Sequence, residues 1–238
     1  IPTTVGVIAL SAQFTPTTST YTNSTTSLSP SVQLRALTIT PTTGLSKVYG
    51  ASDPTLTYSI SSGSLYSTDV LTGALSRASG ENVNTYSITG GSLGNANYAL
   101  TFIPATFRIT QATQASLTLT STSGTYGTDV SLAATGGSGG GALSYVVTST
   151  GTAGCSISSG NLLSATTPGT CTVTATRAAT TNYLVESSIA TTVTIARQTQ
   201  AALNVSTVTG DIFTGIILSS SGGSGTGAVS YGVTTGTA

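Results

Sequence analysis

The sequence predicts an all-β chain made of tandem antiparallel β-sandwich repeats strung into a rod. Three observations carry this. The composition is dominated by Thr, Ser, Gly and Ala. Apolar residues alternate with Ser and Thr at a period of two over many short stretches. Whole blocks of sequence also recur 86 residues further along the chain.

More than a third of the 238 residues are Ser or Thr. Thr and Val are β-branched and fit a pleated surface. The helix formers Lys, Glu, Gln, Arg and Met are scarce. Disorder, the other outcome for a chain of low complexity, goes with low hydropathy and high net charge. Here mean hydropathy is +0.28, 38% of residues are hydrophobic and the net charge is zero.

The repetition sets the organisation. Thr113-Gln114-Ala115-Ser116-Leu117 recurs as Thr199-Gln200-Ala201-Ala202-Leu203. Gly136-Gly137-Ser138-Gly139 recurs as Gly222-Gly223-Ser224-Gly225, and Gly141-Ala142-Leu143-Ser144-Tyr145 as Gly227-Ala228-Val229-Ser230-Tyr231. Thr150-Gly151-Thr152-Ala153 returns as Thr235-Gly236-Thr237-Ala238, one residue early. A weaker signal is a Tyr that leads into an alternating strand, at Tyr21, Tyr98 and Tyr183. Tyr49-Gly50 with Asp53, and Tyr126-Gly127 with Asp129, open two further stretches. Four units follow. Residues 1–35 are the back part of one, 36–111 and 112–197 are complete, and 198–238 are the front part of another. The joints at Arg35-Ala36, Gln111-Ala112 and Arg197-Gln198 are short, which predicts a semi-rigid array.

Within the units the alternation marks strands at Leu117–Thr120, Cys171–Thr176, Thr191–Ile195, Leu56–Ile60 and Tyr86–Ile88. One apolar and one hydroxyl-bearing face suits antiparallel sheets wet on one side. Short strands in units of this size read as β-sandwiches. The two cysteines, Cys155 and Cys171, flank the turn-like Ser159-Gly160-Asn161. They read as one disulfide, and so as an oxidising compartment, with two buried free thiols as the alternative.

Composition also excludes functions. Without His there is no Ser–His–Asp or Cys–His nucleophile system and no imidazole metal site. Six Lys+Arg against six Asp+Glu leave no electrostatic footprint for nucleic acid. No apolar run is long enough to span a membrane as a helix. The acids Asp53, Asp69, Glu81, Asp129, Glu186 and Asp211 are scattered, with no Arg, Tyr or His constellation expected around any of them, so turn and cap roles are predicted. No calcium-loop run occurs; one Asp with backbone carbonyls at a joint is the remaining option for calcium. The expectation is no enzyme activity and no cofactor. Gly136–Gly141 lacks the Gly-Lys-Ser/Thr ending of a phosphate loop. Tyr98 and Tyr183 are read as core-edge anchors, each with its hydroxyl on a backbone partner, rather than as ligand-stacking rings. Asn23-Ser24-Thr25 and Asn204-Val205-Ser206 fit the glycosylation sequon, which matters only in a host that performs N-glycosylation. Ile1-Pro2-Thr3-Thr4 has no basic n-region, so the chain is read as an internal or processed piece of a secreted protein.

The stretch Lys47-Val48-Tyr49-Gly50-Ala51-Ser52-Asp53-Pro54, with Leu71–Arg77, Gly80-Glu81-Asn82-Val83, Tyr86-Ser87-Ile88 and Asn97-Tyr98, resembles an MBG domain, one of the mostly β, glycine-rich repeats of large bacterial surface proteins. Gly154-Cys155-Ser156-Ile157 with Gly169–Ala175 resembles a bacterial Ig-like repeat of such proteins, as do the flanking pieces. Ile8 stands where Cys171 would be. The resemblance implies an extracellular stalk or adhesin and no catalytic residue. In some surface Ig-like domains a lysine forms an isopeptide bond to an Asn beside an acid. Lys47, the only lysine, could pair so with Asn82 or Asn84 and Glu81, or simply cover apolar surface with its stem.

Two functions compete. The first is a structural repeat segment of a fibre, stalk or surface protein, secreted or cell-surface attached, whose neutral hydroxyl-rich surface does not oppose association. The second is an adhesin module for a glycan or cell-surface protein. The end pieces should leave sheet edges and apolar surface open, including Ile212, Phe213, Ile216, Ile217 and Leu218. Either the polypeptide continues past both ends, or the front piece of one copy is completed by the back piece of the next.

Overall fold

The computed structural model describes residues 6–206, 208–211 and 213–235. Ile212 lies outside them. Among the described residues every regular element is a strand.

In the first 35 residues, β1 (Gly6–Val7), β2 (Leu10–Phe14), β3 (Ser24–Leu28) and β4 (Ser31–Val32) form two antiparallel pairs, β1 with β4 and β2 with β3. The next seven strands are β5 (Arg35–Pro41), β6 (Ser46–Val48), β7 (Tyr58–Ser62), β8 (Ser76–Arg77), β9 (Asn84–Thr89), β10 (Tyr98–Phe102) and β11 (Ala105–Thr110). They make two sheets, ordered β10-β5-β7 and β6-β11-β9-β8. Alternation decides what is buried. In β11 Ala105, Phe107 and Ile109 point inward, while Thr106 and Arg108 point to solvent. With Ile39, Leu75, Ile88 and Leu93 they form the core of this sandwich.

The following repeat carries β12 (Thr118–Leu119), β13 (Ser123–Thr125), β14 (Val130–Ser131), β15 (Ala134–Thr135), β16 (Leu143–Ser149), β17 (Ser156–Ser159), β18 (Leu162–Ser164), β19 (Gly169–Arg177), β20 (Glu186–Ser187) and β21 (Thr191–Ala196). Its main sheet runs β13-β21-β19-β16, with β20 also on β19; β14-β18-β17 and β12-β15 complete it. Cys171, Val173 and Ala175 of β19 and Val193 and Ile195 of β21 pack against Leu117, Leu119, Leu132 and Leu163. The last strands, β22 (Leu203–Val205) and β23 (Ser220–Gly222), pair antiparallel.

The all-β expectation holds, but the pairing is not purely antiparallel. β5 runs parallel to β10, β6 to β11, and β13 to β21. Parallel neighbours need a crossover rather than a hairpin, and here the intervening chain supplies it by building the other strands.

The described residues divide into two compact units. One takes in the chain up to Gln114 with Ser138–Gly141 and Ala179–Val185; the other takes in the rest.

Candidate functional site

The densest group of ionisable side chains lies in the first unit. Lys47 comes from β6 and Arg77 from β8, the two edge strands of one sheet. Asp53 follows the turn at Tyr49-Gly50, where Ala51 N–H donates to Val48 O at 3.0 Å and Gly50 has φ +82°. Glu81 sits in the loop before β9. Arg77 holds Asp53 with two donors, Nε to Oδ2 at 2.6 Å and Nη2 to Oδ1 at 3.2 Å. Its Nη2 also reaches Glu81 Oε1. Lys47 Nζ lies 2.6 Å from Asp53 Oδ1 and also meets Glu81 Oε2. The guanidinium carbon lies 5.1 Å from the ring centre of Tyr86 and 5.3 Å from that of Phe107. The cations are buried and the carboxylates face solvent. The expectation that no acid has an Arg or Tyr constellation is therefore corrected. Asp53 and Glu81 converge on Arg77 and Lys47, and Tyr98 Oη donates to Asp69 Oδ2 at 2.7 Å. Sequence distance hid the first grouping because two sheet edges and two loops build it.

This group suits ion pairing, not amide formation. An isopeptide bond needs a neutral amine and an uncharged carboxyl or carboxamide. The Arg77 hydrogen bonds, then those of Lys47, hold the Asp53 carboxyl down at about 2 against an ordinary 3.8. The Asp53 and Glu81 hydrogen bonds push the Lys47 ammonium up. Both partners stay charged. The two Asn candidates are engaged elsewhere: Asn82 Oδ1 accepts from Asn182 Nδ2 at 2.9 Å, and Asn84 Oδ1 accepts from Thr85 N–H at 2.8 Å.

A depressed carboxyl pKa adds stability above its unfolded value, and that stability is lost as pH falls through the folded one. The window here runs from about pH 4 down to about pH 2. Thermal melts should show the wild-type midpoint falling further across it than that of Asp53→Asn, by on the order of a few degrees. Parallel midpoints between pH 4 and pH 2 would remove the linkage.

Tyr98 is buried, and its hydroxyl also accepts Tyr66 N–H at 2.8 Å, pinning the loop before β8 to β10. Desolvation first, and the bond to Asp69 second, raise its pKa. Tyr183 is half-buried; its ring meets the Tyr49 ring edge-on at 5.3 Å between centres. Beside it Asn182 Oδ1 accepts Val83 N–H at 2.9 Å, and Ala112 N–H donates to Asn182 O at 3.0 Å. Tyr49, Asn82, Val83 and loop 179–185 thus form one clasp inside the first unit. The sequence marked both tyrosines but not their meeting.

Cys155 and Cys171 are joined, with Cα atoms 6.2 Å apart. Among the described residues no group of three or more His, Cys, Asp or Glu could hold a metal ion. Nor, among the described residues, is any helix long and apolar enough to cross a membrane. Phe213, Ile216, Ile217 and Leu218 are exposed.

With the two sheets and the Tyr49-Gly50-Ala51 turn in place, comparison with known families is decisive for one part of the chain. Residues 37–108 match the family model of the MBG domain, YGX type. No curated protein and no solved structure matches the chain. The MBG domain shares its plan with the repeat that follows. Tyr49 N–H donates to Thr110 O at 2.8 Å, and Tyr126 N–H to Ala196 O at 2.9 Å. In both, the strand before this tyrosine runs parallel to the last strand, and that last strand pairs antiparallel with an inner one.

Proposed function

We propose that the chain is a structural repeat segment of an extracellular bacterial fibre, stalk or surface protein. The observation that carries this reading is a strand register repeated along the chain. Gly169↔Ile195 and Thr176↔Ser187 of the complete repeat return as Gly6↔Val32 and Gln13↔Thr25 in the first 35 residues. Thr118↔Thr135 and Leu119↔Ala134 return as Asn204↔Ser221 and Val205↔Ser220. One building block used several times is how a chain gains reach rather than a pocket.

Chemistry supports the same reading. The disulfide favours an oxidising compartment. The one dense ionic group is spent on internal pairing. The MBG domain and the Ig-like resemblance of residues 112–197 agree with a surface protein.

Antibody raised against residues 36–197 should label intact, unpermeabilised producing cells or their shed fibres. The same segment should give no saturable signal on a glycan array. Labelling confined to lysed cells would overturn the extracellular reading; specific glycan binding would replace the stalk with an adhesin.

A further inference from the structure

Three motifs that stand out in the sequence meet at one edge of the MBG domain. Tyr49 comes from the Tyr-Gly turn, Asn82 and Val83 from the Gly-Glu-Asn-Val loop, and Asn182 from an Asn-Tyr pair 100 residues beyond Asn82. Asn182 uses both ends of its carboxamide here. Its Oδ1 accepts Val83 N–H, and its Nδ2 donates to Asn82 Oδ1. The ionic group holds the receiving edge in place. Arg77 Nη1 donates to Gly80 O, and Tyr86, on which Arg77 stacks, donates from Oη to Asn82 O at 2.7 Å. Lys47, two residues before Tyr49, pairs with the same carboxylates as Arg77.

The incoming loop is braced as well. Gln111 Nε2 donates to Thr180 O at 2.7 Å, and Leu184 N–H donates to Ala112 O at 2.9 Å. Gln114 is buried; its Nε2 donates to Leu184 O at 2.7 Å and its Oε1 accepts Gly139 N–H at 3.1 Å. The backbone part of this arrangement recurs at the preceding joint, where Arg35 N–H donates to Asn97 O at 3.0 Å and Arg35 pairs parallel with Tyr98, as Ala112 does with Tyr183. The Asn182 carboxamide bonds are what the MBG edge adds. Asn84 opposite Ile109 corresponds to Gly169 opposite Ile195, so the equivalents of Asn82 and Val83 in the next repeat are Thr167 and Pro168. Pro168 has no N–H to offer. Thr167 Oγ1 donates within its own repeat, to Thr152 O at 2.7 Å. An asparagine placed like Asn182 would find neither partner there.

We propose that this edge of the MBG domain is a docking face whose occupant is the Asn-Tyr loop of the repeat that follows it, and that Asn182 decides the fit. The loop stabilises the MBG domain as one of its own parts, although its chain leaves from β19 and returns at β20 of the next repeat. A repeat fits behind an MBG domain when it carries an asparagine at this place in the loop, and the Thr167-Pro168 edge does not accept the same key. In an array this sets the order of neighbours. That consequence rests on the structural-repeat reading; the docking itself does not.

Hydrogen exchange on the oxidised 238-residue chain tests the docking. Asn182→Leu keeps the size of the side chain but removes both hydrogen bonds and leaves Val83 N–H without its acceptor. Exchange in Asn84–Thr89 and Ala105–Thr110 should quicken about tenfold. Gly169–Arg177 and Thr191–Ala196, in the repeat that carries the substitution, should keep their rates. Adding Asn82→Ala to Asn182→Leu should change nothing further, because the bond it removes is already gone. Asn182→Asp, which still offers Val83 an acceptor, should recover most of the protection. Unchanged exchange in Asn84–Thr89 and Ala105–Thr110 with Asn182→Leu overturns the proposal. So does equal quickening in Gly169–Arg177, or an Asp variant no better than the Leu one. Labelling of intact cells tests the stalk reading separately, whichever way the exchange falls.

Discussion

Phe107→Ala should cost the MBG domain about 3–5 kcal/mol, as expected when a large aromatic is truncated in a packed core. Phe107 is fully buried on β11, flanked along the inward face of that strand by Ala105 and Ile109 and opposite Tyr86 of β9. It touches the structure in two ways. Its ring fills the space between the sheets with Ile39, Leu75 and Ile88. It also lies beneath the Arg77 guanidinium, which the carboxylates of Asp53 and Glu81 hold in place. Truncation removes apolar contact and one wall of the Arg77 site together. For a domain of this size the loss corresponds to a midpoint lowered by more than roughly 10 °C. Calorimetry and near-ultraviolet dichroism, which reports on Tyr49, Tyr86 and Tyr98, would measure it. Phe107→Leu, which keeps most of the volume, should lose less than half as much. A loss below about 1 kcal/mol for Phe107→Ala would mean that the two sheets do not pack through this ring.

The fold was legible wherever a local rule governs it. Alternation in Gly169–Arg177 and Thr191–Ala196 gave both the strands and their buried faces, because side chains on a strand alternate between faces and only one face here is apolar. The repeated Gly-Gly-Ser-Gly blocks fell where the backbone demands glycine. A Cβ at Gly136 would lie 2.0 Å from Ser116 O, and one at Gly222 would lie 2.0 Å from Ala202 O. What was not legible depends on long-range pairing. Nothing local in Ser46–Val48 says that it runs parallel to Arg108–Thr110. Lys47, Asp53, Arg77 and Glu81 are separated by stretches that fold into other strands, so a reading along the chain treats each as a lone surface charge. Their scarcity was the available signal. In a chain with so few charges, two of the six cations and three of the six acids lie within one 35-residue window. Asn182 was missed for a related reason: its partners Asn82 and Val83 lie about a hundred residues away.

Removing the disulfide, by reduction and alkylation or by the double change Cys155→Ala and Cys171→Ala, should destabilise the repeat at residues 112–197 by about 3 kcal/mol. That is the chain-entropy value for closing a loop of about 15 residues, close to the 16-residue separation here. The effect acts first on the unfolded chain, which the bond keeps from exploring open conformations. It acts second on the native core, since both cysteines are buried beside Val173 and Leu163. The double change separates these contributions better than either single change, which would leave a reactive thiol. The MBG domain has no cysteine and supplies the internal control. Hydrogen exchange should therefore quicken on reduction in Leu143–Ser149 and Gly169–Arg177 while Asn84–Thr89 and Ala105–Thr110 keep their protection. The rate change expected from about 3 kcal/mol is more than a hundredfold where exchange follows global opening of the repeat. If protection in Gly169–Arg177 were unchanged on reduction, the sandwich core alone would hold the repeat, and the bond would contribute nothing to its stability.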